Sequence, residues 1–415
     1  MKKYLVKESF FPFSLTILYM IPFGFASGLP LALTGTTLQA WLTVEGVDIV
    51  TIGLLSLVGI PYSIKFIWAP FMDFIRLPYL TKRRSWILFT QICLALSLFY
   101  FSTLNPKGTP FLLGLIALVI AFFSASQDIV IDAYRTDALK EKERGVGVAT
   151  FISGYRIGMI VSGGLAMMMG DKIGWENTYK IMAVIMLAMG IVTFLSPENS
   201  SQPQNSVFSF KDNLFEPFKD ILSARVGIAA ILVVIFYKIG DAFAGALTTT
   251  FLIKQIGFTV SEVGTLNKIV GLISTIAGAF FGGILMARLG IFRSLVFFGI
   301  LQALTNLGFW FLNFTEKSYA VAGSVIILEN LAGGMGTAAF VSMIMGFCNK
   351  EFSATQFAIL SAISSLGRVF IAPMTGFIVK SLGWSNFYII SFFVSIPVLF
   401  LLPYIKEKIN LNNQG

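Results

Sequence analysis

Histidine is absent from the 415 residues. That excludes His-based catalysis, His-ligated metal sites and the usual near-neutral proton switch. Cysteine is nearly absent as well. Cys93 and Cys348 lie far apart in apolar stretches, leaving neither a disulfide framework nor a metal-binding spacing. Charge is scarce: 12% of residues are Asp, Glu, Lys or Arg, against about 25% in a soluble domain. So few charges cannot coat a globule of this length, so a soluble enzyme, a secreted scaffold and a disordered chain are excluded. No nucleophile–base constellation, metal cluster or nucleotide loop is present, so neither enzymatic activity nor a cofactor is expected. Instead, 56% of residues are hydrophobic, and the solvent of such a chain is mostly lipid.

A bilayer-spanning helix needs about 20 mainly apolar residues. Runs of that kind predict twelve spans, at 14–42, 51–72, 86–104, 111–134, 146–170, 178–196, 225–252, 262–287, 292–313, 319–348, 355–379 and 386–404. The runs are too long for tilted barrel strands and lack strict alternation, so all are read as helices. The first run is also too long for a cleaved signal core and is read as an uncleaved span. The net charge of +9 does not point to nucleic acid, because the positive residues fall in short connections. With the N-terminus inside, the inner segments carry 19 Lys and Arg and the outer loops carry 5. This bias predicts that both termini are cytoplasmic.

The longest polar stretch, 197–224, follows the sixth span and divides the chain into 1–196 and 225–415. The two parts echo each other. "YRIGMIVSGGLAMMMGDKIGWENTY" around span five resembles "SLGRVFIAPMTGFIVKSLGWSNFY" around span eleven, matching Arg156 to Arg368 and Gly174-Trp175 to Gly383-Trp384. Two six-helix bundles repeated in parallel are the architecture of major facilitator transporters. The loop "APFMDFIRLPYLTKRRSW" resembles the loop between spans two and three of that superfamily. Its role there is gating, which implicates Asp73, Arg83 and Arg84, with Arg135 and Asp137 at the end of span four.

Ionisable groups at mid-membrane cost about 2.5–3.5 kcal/mol each on insertion scales. The predicted spans nevertheless contain Lys65, Arg156, Lys238, Lys268 and Arg368, together with Asp128, Asp132, Asp241 and Glu329. At about 100° per residue, Asp128 and Asp132 lie roughly 40° apart on one helix face, with Arg135 on the same stripe. This carboxylate pair either serves a cavity or belongs to a structural charge network. With histidine absent, a coupled proton must ride on a carboxylate: Asp128 first, then Asp132, with Glu329 or Asp241 as alternatives in the second half. Glu329 shows no partner within four positions, so its partner is expected from another helix. Arg156 and Arg368 can bind carboxylates bidentately, and Lys65, Lys238 and Lys268 can assist. Lys238 and Asp241, three residues apart, can also simply pair, and Lys65 and Lys268 can snorkel. Gln127 and Tyr155, next to Asp128 and Arg156, are assigned to substrate binding with Arg156, Arg368, Lys65, Lys238 and Lys268.

The segment "SQDIVIDAYRTDALKEKERGVGVATFISGYRIGMIVSGG", with "GLPLALTGTTLQAWL" (28–42), residues 56–73 and "DKIGWENTY" (171–179), resembles the AmpG muropeptide permeases, a branch of the major facilitator superfamily. The resemblance covers most of the N-terminal half. It implies import of anhydromuropeptides across a bacterial inner membrane for peptidoglycan recycling, driven by the proton gradient. These cargoes are GlcNAc–anhydroMurNAc peptides. The signature also resembles the acetyl-CoA transporters of eukaryotic endomembranes, which keeps open another anionic metabolite, such as an acetyl-CoA-like thioester or an organic anion. Some family members carry extra helices between the halves, for which 197–224 leaves no room. The expected protein is an all-α, multi-pass, monomeric secondary transporter whose partners are an anionic substrate, the proton and the bilayer.

Overall fold

A computed structural model of the chain describes residues 15–139, 143–197, 227–348 and 353–406. The expected linker lies outside this set beyond Pro197, as does the side chain of Asp73. All regular structure among the described residues is helical. The spans are α1 Leu15–Val44, α2 Ile49–Ile67, α3 Lys82–Ser102, α4 Pro110–Ala138, α5 Gly145–Ile173, α6 Trp175–Leu195, α7 Gly227–Gln255, α8 Val260–Leu289, α9 Ile291–Leu312 and α10 Tyr319–Phe347. An eleventh apolar stretch, Gln356–Ile405, is 50 residues long. At 1.5 Å per residue that is about 75 Å, more than twice a hydrocarbon core of about 30 Å. It breaks at Gly383, whose φ of 77° is not helical. The break gives α11 (356–382) and α12 (384–405), and so the twelve crossings read from the sequence.

The echo between the halves has a structural counterpart. Gly174 and Gly383 both adopt positive φ, 85° and 77°, which glycine reaches without the Cβ penalty. Three residues after each, an asparagine reaches back to the end of the preceding helix: Asn177 Nδ2 donates to the Ile173 carbonyl and Asn386 Nδ2 to the Leu382 carbonyl, each at 2.9 Å. Five residues after each glycine, Tyr179 and Tyr388 are fully buried. Tyr179 packs with Trp41 and Phe101, and Tyr388 with Phe251 and Phe309. One short pattern, Gly-Trp-x-Asn-x-Tyr, thus turns the chain, closes the helix end and supplies an aromatic core to each half.

Close helix approach depends on small residues. A Cβ at Gly24 would lie 2.0 Å from the Phe151 carbonyl oxygen, and one at Gly154 would lie 2.0 Å from that of Ile21. Only glycine at both positions lets the α1 and α5 backbones touch. Helical regularity yields where the halves meet. α5 widens to a π-helix over Val161–Leu165 and α8 over Gly264–Val270, and the Gly264 carbonyl faces Gly164 across the junction. The Ser162 carbonyl accepts from the Thr37 hydroxyl on α1 at 2.5 Å, so an irregular backbone stays satisfied inside the membrane.

Candidate functional site

Hydrogen bonds between the first six and last six spans gather toward one end of the molecule. Thr43 and Thr250 hydroxyls pair at 2.9 Å, and Gln39 Nε2 donates to the Ala246 carbonyl at 2.7 Å. Ser261 Oγ donates to Asp171 at 2.6 Å, and Lys380 Nζ to Asp48 at 2.9 Å. Deeper in, Ser63 Oγ donates to Ser365 Oγ at 2.7 Å. Between described residues no hydrogen bond joins the halves on the far side of that pair. The molecule is therefore closed at the end carrying the 45–48 and 256–259 connections.

The Asp48–Lys380 bridge is an exposed part of this closure, with side chains 46% and 61% accessible. The bonded Lys380 ammonium holds the Asp48 carboxyl below its ordinary value, against a smaller opposing effect of burial. A lowered carboxyl contributes stability above its unfolded pKa, about 3.9, and loses it as pH falls through the lowered folded value. The bridge is thus constant across roughly pH 5 to 8, and exposed pairs are worth about 0–1 kcal/mol. We expect Lys380→Ala to speed maleimide labelling of an Ile49→Cys reporter by less than about fivefold. The rate in the parent, divided at each pH by that of a freely accessible cysteine to remove the thiolate's own pH dependence, should stay flat over about pH 5 to 8. A steep rise in that interval would assign control of this end to another group.

Inside the closed end lies a cavity of ≈ 500 Å³ lined by α1, α2, α7 and α11. Gly35, Thr36 and Gln39 face it from α1, Lys238 and Asp241 from α7, and Ser365 and Arg368 from α11. Lys238 Nζ sits 2.6 Å from Asp241 Oδ2, the intrahelical pair anticipated from their spacing. The same oxygen accepts from Gln302 Nε2 on α9 at 2.7 Å, and Lys238 also donates to the Gly333 carbonyl at 3.3 Å. Asp241 therefore neutralises Lys238. Arg368 has no hydrogen-bond or ion-pair partner among the described residues and carries the cavity's uncompensated charge.

The other candidates form two further groups. Asp128 Oδ2 lies 4.0 Å from Lys65 Nζ, while Asp128 Oδ1 is buried without a partner among the described residues. The hydroxyls of Ser27, Tyr62 and Ser124 are likewise buried and unpartnered. Of the two carboxylates on its stripe, Arg135 does not pair with Asp128. It instead bonds Asp132 at 3.1 Å, one turn along α4, and stacks over the Phe151 ring at 4.5 Å. Arg156 reaches only Met159 Sδ, at 3.8 Å, so the second mid-membrane guanidinium is also without an ion pair among the described residues. Tyr155 is half-buried beside Asp128 and Arg156. Gln127 does not line this cavity: it is fully buried, its amide nitrogen donates to the Ala26 carbonyl at 2.8 Å, tying α4 to α1, and its Oε1 has no partner among the described residues.

In the second half, Glu329 Oε2 accepts from Asn330 Nδ2 at 2.7 Å. Its hydrogen-bond partner is therefore the next residue rather than another helix, although Lys268 on α8 is near enough for the two charges to act on each other. The Lys268 stem packs 3.5 Å from the Cβ position of Gly163, across the paired π-helical segments. Of the gating candidates, Arg83 Nε bonds Asp137 at 3.1 Å. Arg84 is buried and donates to the Thr193 and Phe194 carbonyls, closing the end of α6. Gln39, Gln302 and Asn330 are site residues that the sequence reading missed. An uncharged amide in an apolar span was the available signal.

Comparison with known proteins sets this geometry in context. The family model described as Major Facilitator Superfamily matches residues 13–352. The anhydromuropeptide permease of Escherichia coli K12 is 48% identical over 390 residues, covering 93% of this chain and 79% of the relative. A Rickettsia conorii protein named as an AmpG transporter is 34% identical, covering 94% of this chain and 96% of its own. Among solved structures, a peptide transporter of the POT group in complex with sulfate superposes with a TM-score of 0.72 at 11% identity, covering 98% and 97% of the two chains. At that identity the likeness concerns the fold alone.

Proposed function

Because the chain belongs to the major facilitator superfamily and, within it, to the AmpG anhydromuropeptide permeases, we propose that it imports anhydromuropeptides across a bacterial inner membrane by proton symport. The protein is a multi-pass membrane transporter and not an enzyme. The observation that carries the substrate class is 48% identity to an anhydromuropeptide permease over 93% of the chain. A cavity whose free charge is cationic, at Arg368, suits a cargo bearing carboxylates. The charge bias of the connections supports cytoplasmic termini, which would place the closed end in the periplasm and make the present conformation inward-facing. Segments 1–196 and 225–415 then act as two bundles rocking about the cavity, with 197–224 as a cytoplasmic linker.

In this reading Arg368 holds a substrate carboxylate in the cavity, and Arg156, outside its lining, adds positive potential with Lys65 and Lys268 and meets a second carboxylate only when the halves move. Asp128 carries the proton, and Glu329 is the alternative. Expression in cells lacking their own permease tests the proposal: labelled GlcNAc–anhydroMurNAc peptide should enter, and an uncoupler should stop accumulation. Uptake of an acetyl-CoA-like or other organic anion instead would move the chain to another substrate class in the same fold.

A further inference from the structure

We propose that Gln39 is a substrate contact that also fastens the two halves together, so that binding in the cavity loosens the closed end. The substrate part rests on the permease reading above; the fastening part does not. Gln39 lines the cavity and makes a short cross-half hydrogen bond, Nε2 to the Ala246 carbonyl at 2.7 Å. It lies five residues from the end of α1, about 7 Å along the axis, between the cavity and the outer contacts. Its acceptor stands where α7 is interrupted, at the Ala246–Leu247 step. Carbonyls at such breaks are open to side chains.

The amide has more capacity than this bond uses. A glutamine side chain offers two donors and an acceptor, and only one donor is engaged among the described residues. Gln39 is 6% exposed, and because it lines the cavity, its accessible part faces the cargo. The free Oε1 suits a hydroxyl or amide N–H, both of which a sugar–peptide presents. A substrate acceptor drawing on Nε2 competes directly with the Ala246 carbonyl. Occupancy and closure then use the same atoms. The neighbouring Thr43–Thr250 bond differs: it crosses the halves but is buried and does not line the cavity, so it fastens without sensing.

The test uses the full chain in membranes, with Cys93 and Cys348 replaced by alanine and Ile49→Cys added as the outer-end reporter. Without any ligand, Gln39→Leu should raise maleimide labelling roughly two- to tenfold, the range of one neutral hydrogen bond. Gln39→Glu keeps the size but loses the donor, and should do the same should the leucine variant fold poorly. Added GlcNAc–anhydroMurNAc peptide should raise labelling in the parent but not in Gln39→Leu. Thr43→Val should raise basal labelling and retain the response. Unchanged basal labelling in both Gln39 variants would overturn the fastening role. A full ligand response in Gln39→Leu would overturn the contact. A parent that binds labelled muropeptide but shows no change in labelling would overturn the contact, whereas a parent that binds none, with Gln39→Leu still labelling faster, would count against the muropeptide reading and leave the cross-half bond standing.

Discussion

Asp128→Asn should abolish uphill uptake while leaving substrate binding and exchange largely intact. One proton moving down a gradient of one pH unit supplies about 1.36 kcal/mol, a tenfold accumulation at one proton per substrate. Without a titrating carboxyl that factor falls to one. Asp128 is suited to the role by its surroundings. One carboxylate oxygen is 4.0 Å from the Lys65 ammonium and the other is buried without a partner. A half-paired carboxylate inside a membrane protein is costly and marks a functional position. Three buried hydroxyls of α1, α2 and α4, those of Ser27, Tyr62 and Ser124, are unpartnered as well. Asp132 is a weaker candidate because Arg135 holds it at 3.1 Å on an accessible face. Should Asp128→Asn still accumulate substrate and still collapse with an uncoupler, coupling moves to Glu329, whose bond to Asn330 is local and can persist while the halves move.

Arg368→Gln should weaken substrate affinity about thirtyfold, and Arg156→Gln should weaken it less. Truncating one member of a desolvated charge pair costs about 2–5 kcal/mol. The cavity is open to water, so the lower end applies, and about 2 kcal/mol is roughly thirtyfold. Arg368 lines the cavity and has no ion-pair partner among the described residues, whereas Arg156 touches only Met159 and does not line it. Lysine at either position keeps the charge but loses the bidentate fork, so each lysine variant should fall between the parent and its glutamine variant. Concentration-dependent uptake separates these outcomes. Equal affinity in the parent and Arg368→Gln, at equal surface expression, would remove Arg368 from recognition.

Some of this architecture was legible in the residues because it is local. The twelve apolar runs, the Lys238–Asp241 spacing and the Gly-Trp echo act within one or two turns, and each has a direct structural counterpart. The pairing of Lys65 with Asp128 could not be read so, because it joins α2 to α4 and depends on how each helix is rotated. Hydropathy reports rotation poorly here. In α9, lipid-facing Phe297 and Phe311 and buried Phe298 and Phe309 are the same residue type. The place of Gln127 depends on rotation in the same way. Its neighbour faces the charged cluster, but one residue along a helix turns the side chain by about 100°, into the α1 contact. Arg84 looked like a gate by its place in a basic cluster, yet it closes the end of α6.

The most direct test of the central claim uses purified protein in sealed vesicles with no other transporter present. An imposed proton gradient, acid on the side of the closed end, should drive labelled GlcNAc–anhydroMurNAc peptide to accumulate about tenfold per pH unit, and the accumulation should collapse on adding an uncoupler. Muropeptide that only equilibrates under the same gradient, in protein that still binds it, would contradict the account of a proton-coupled importer.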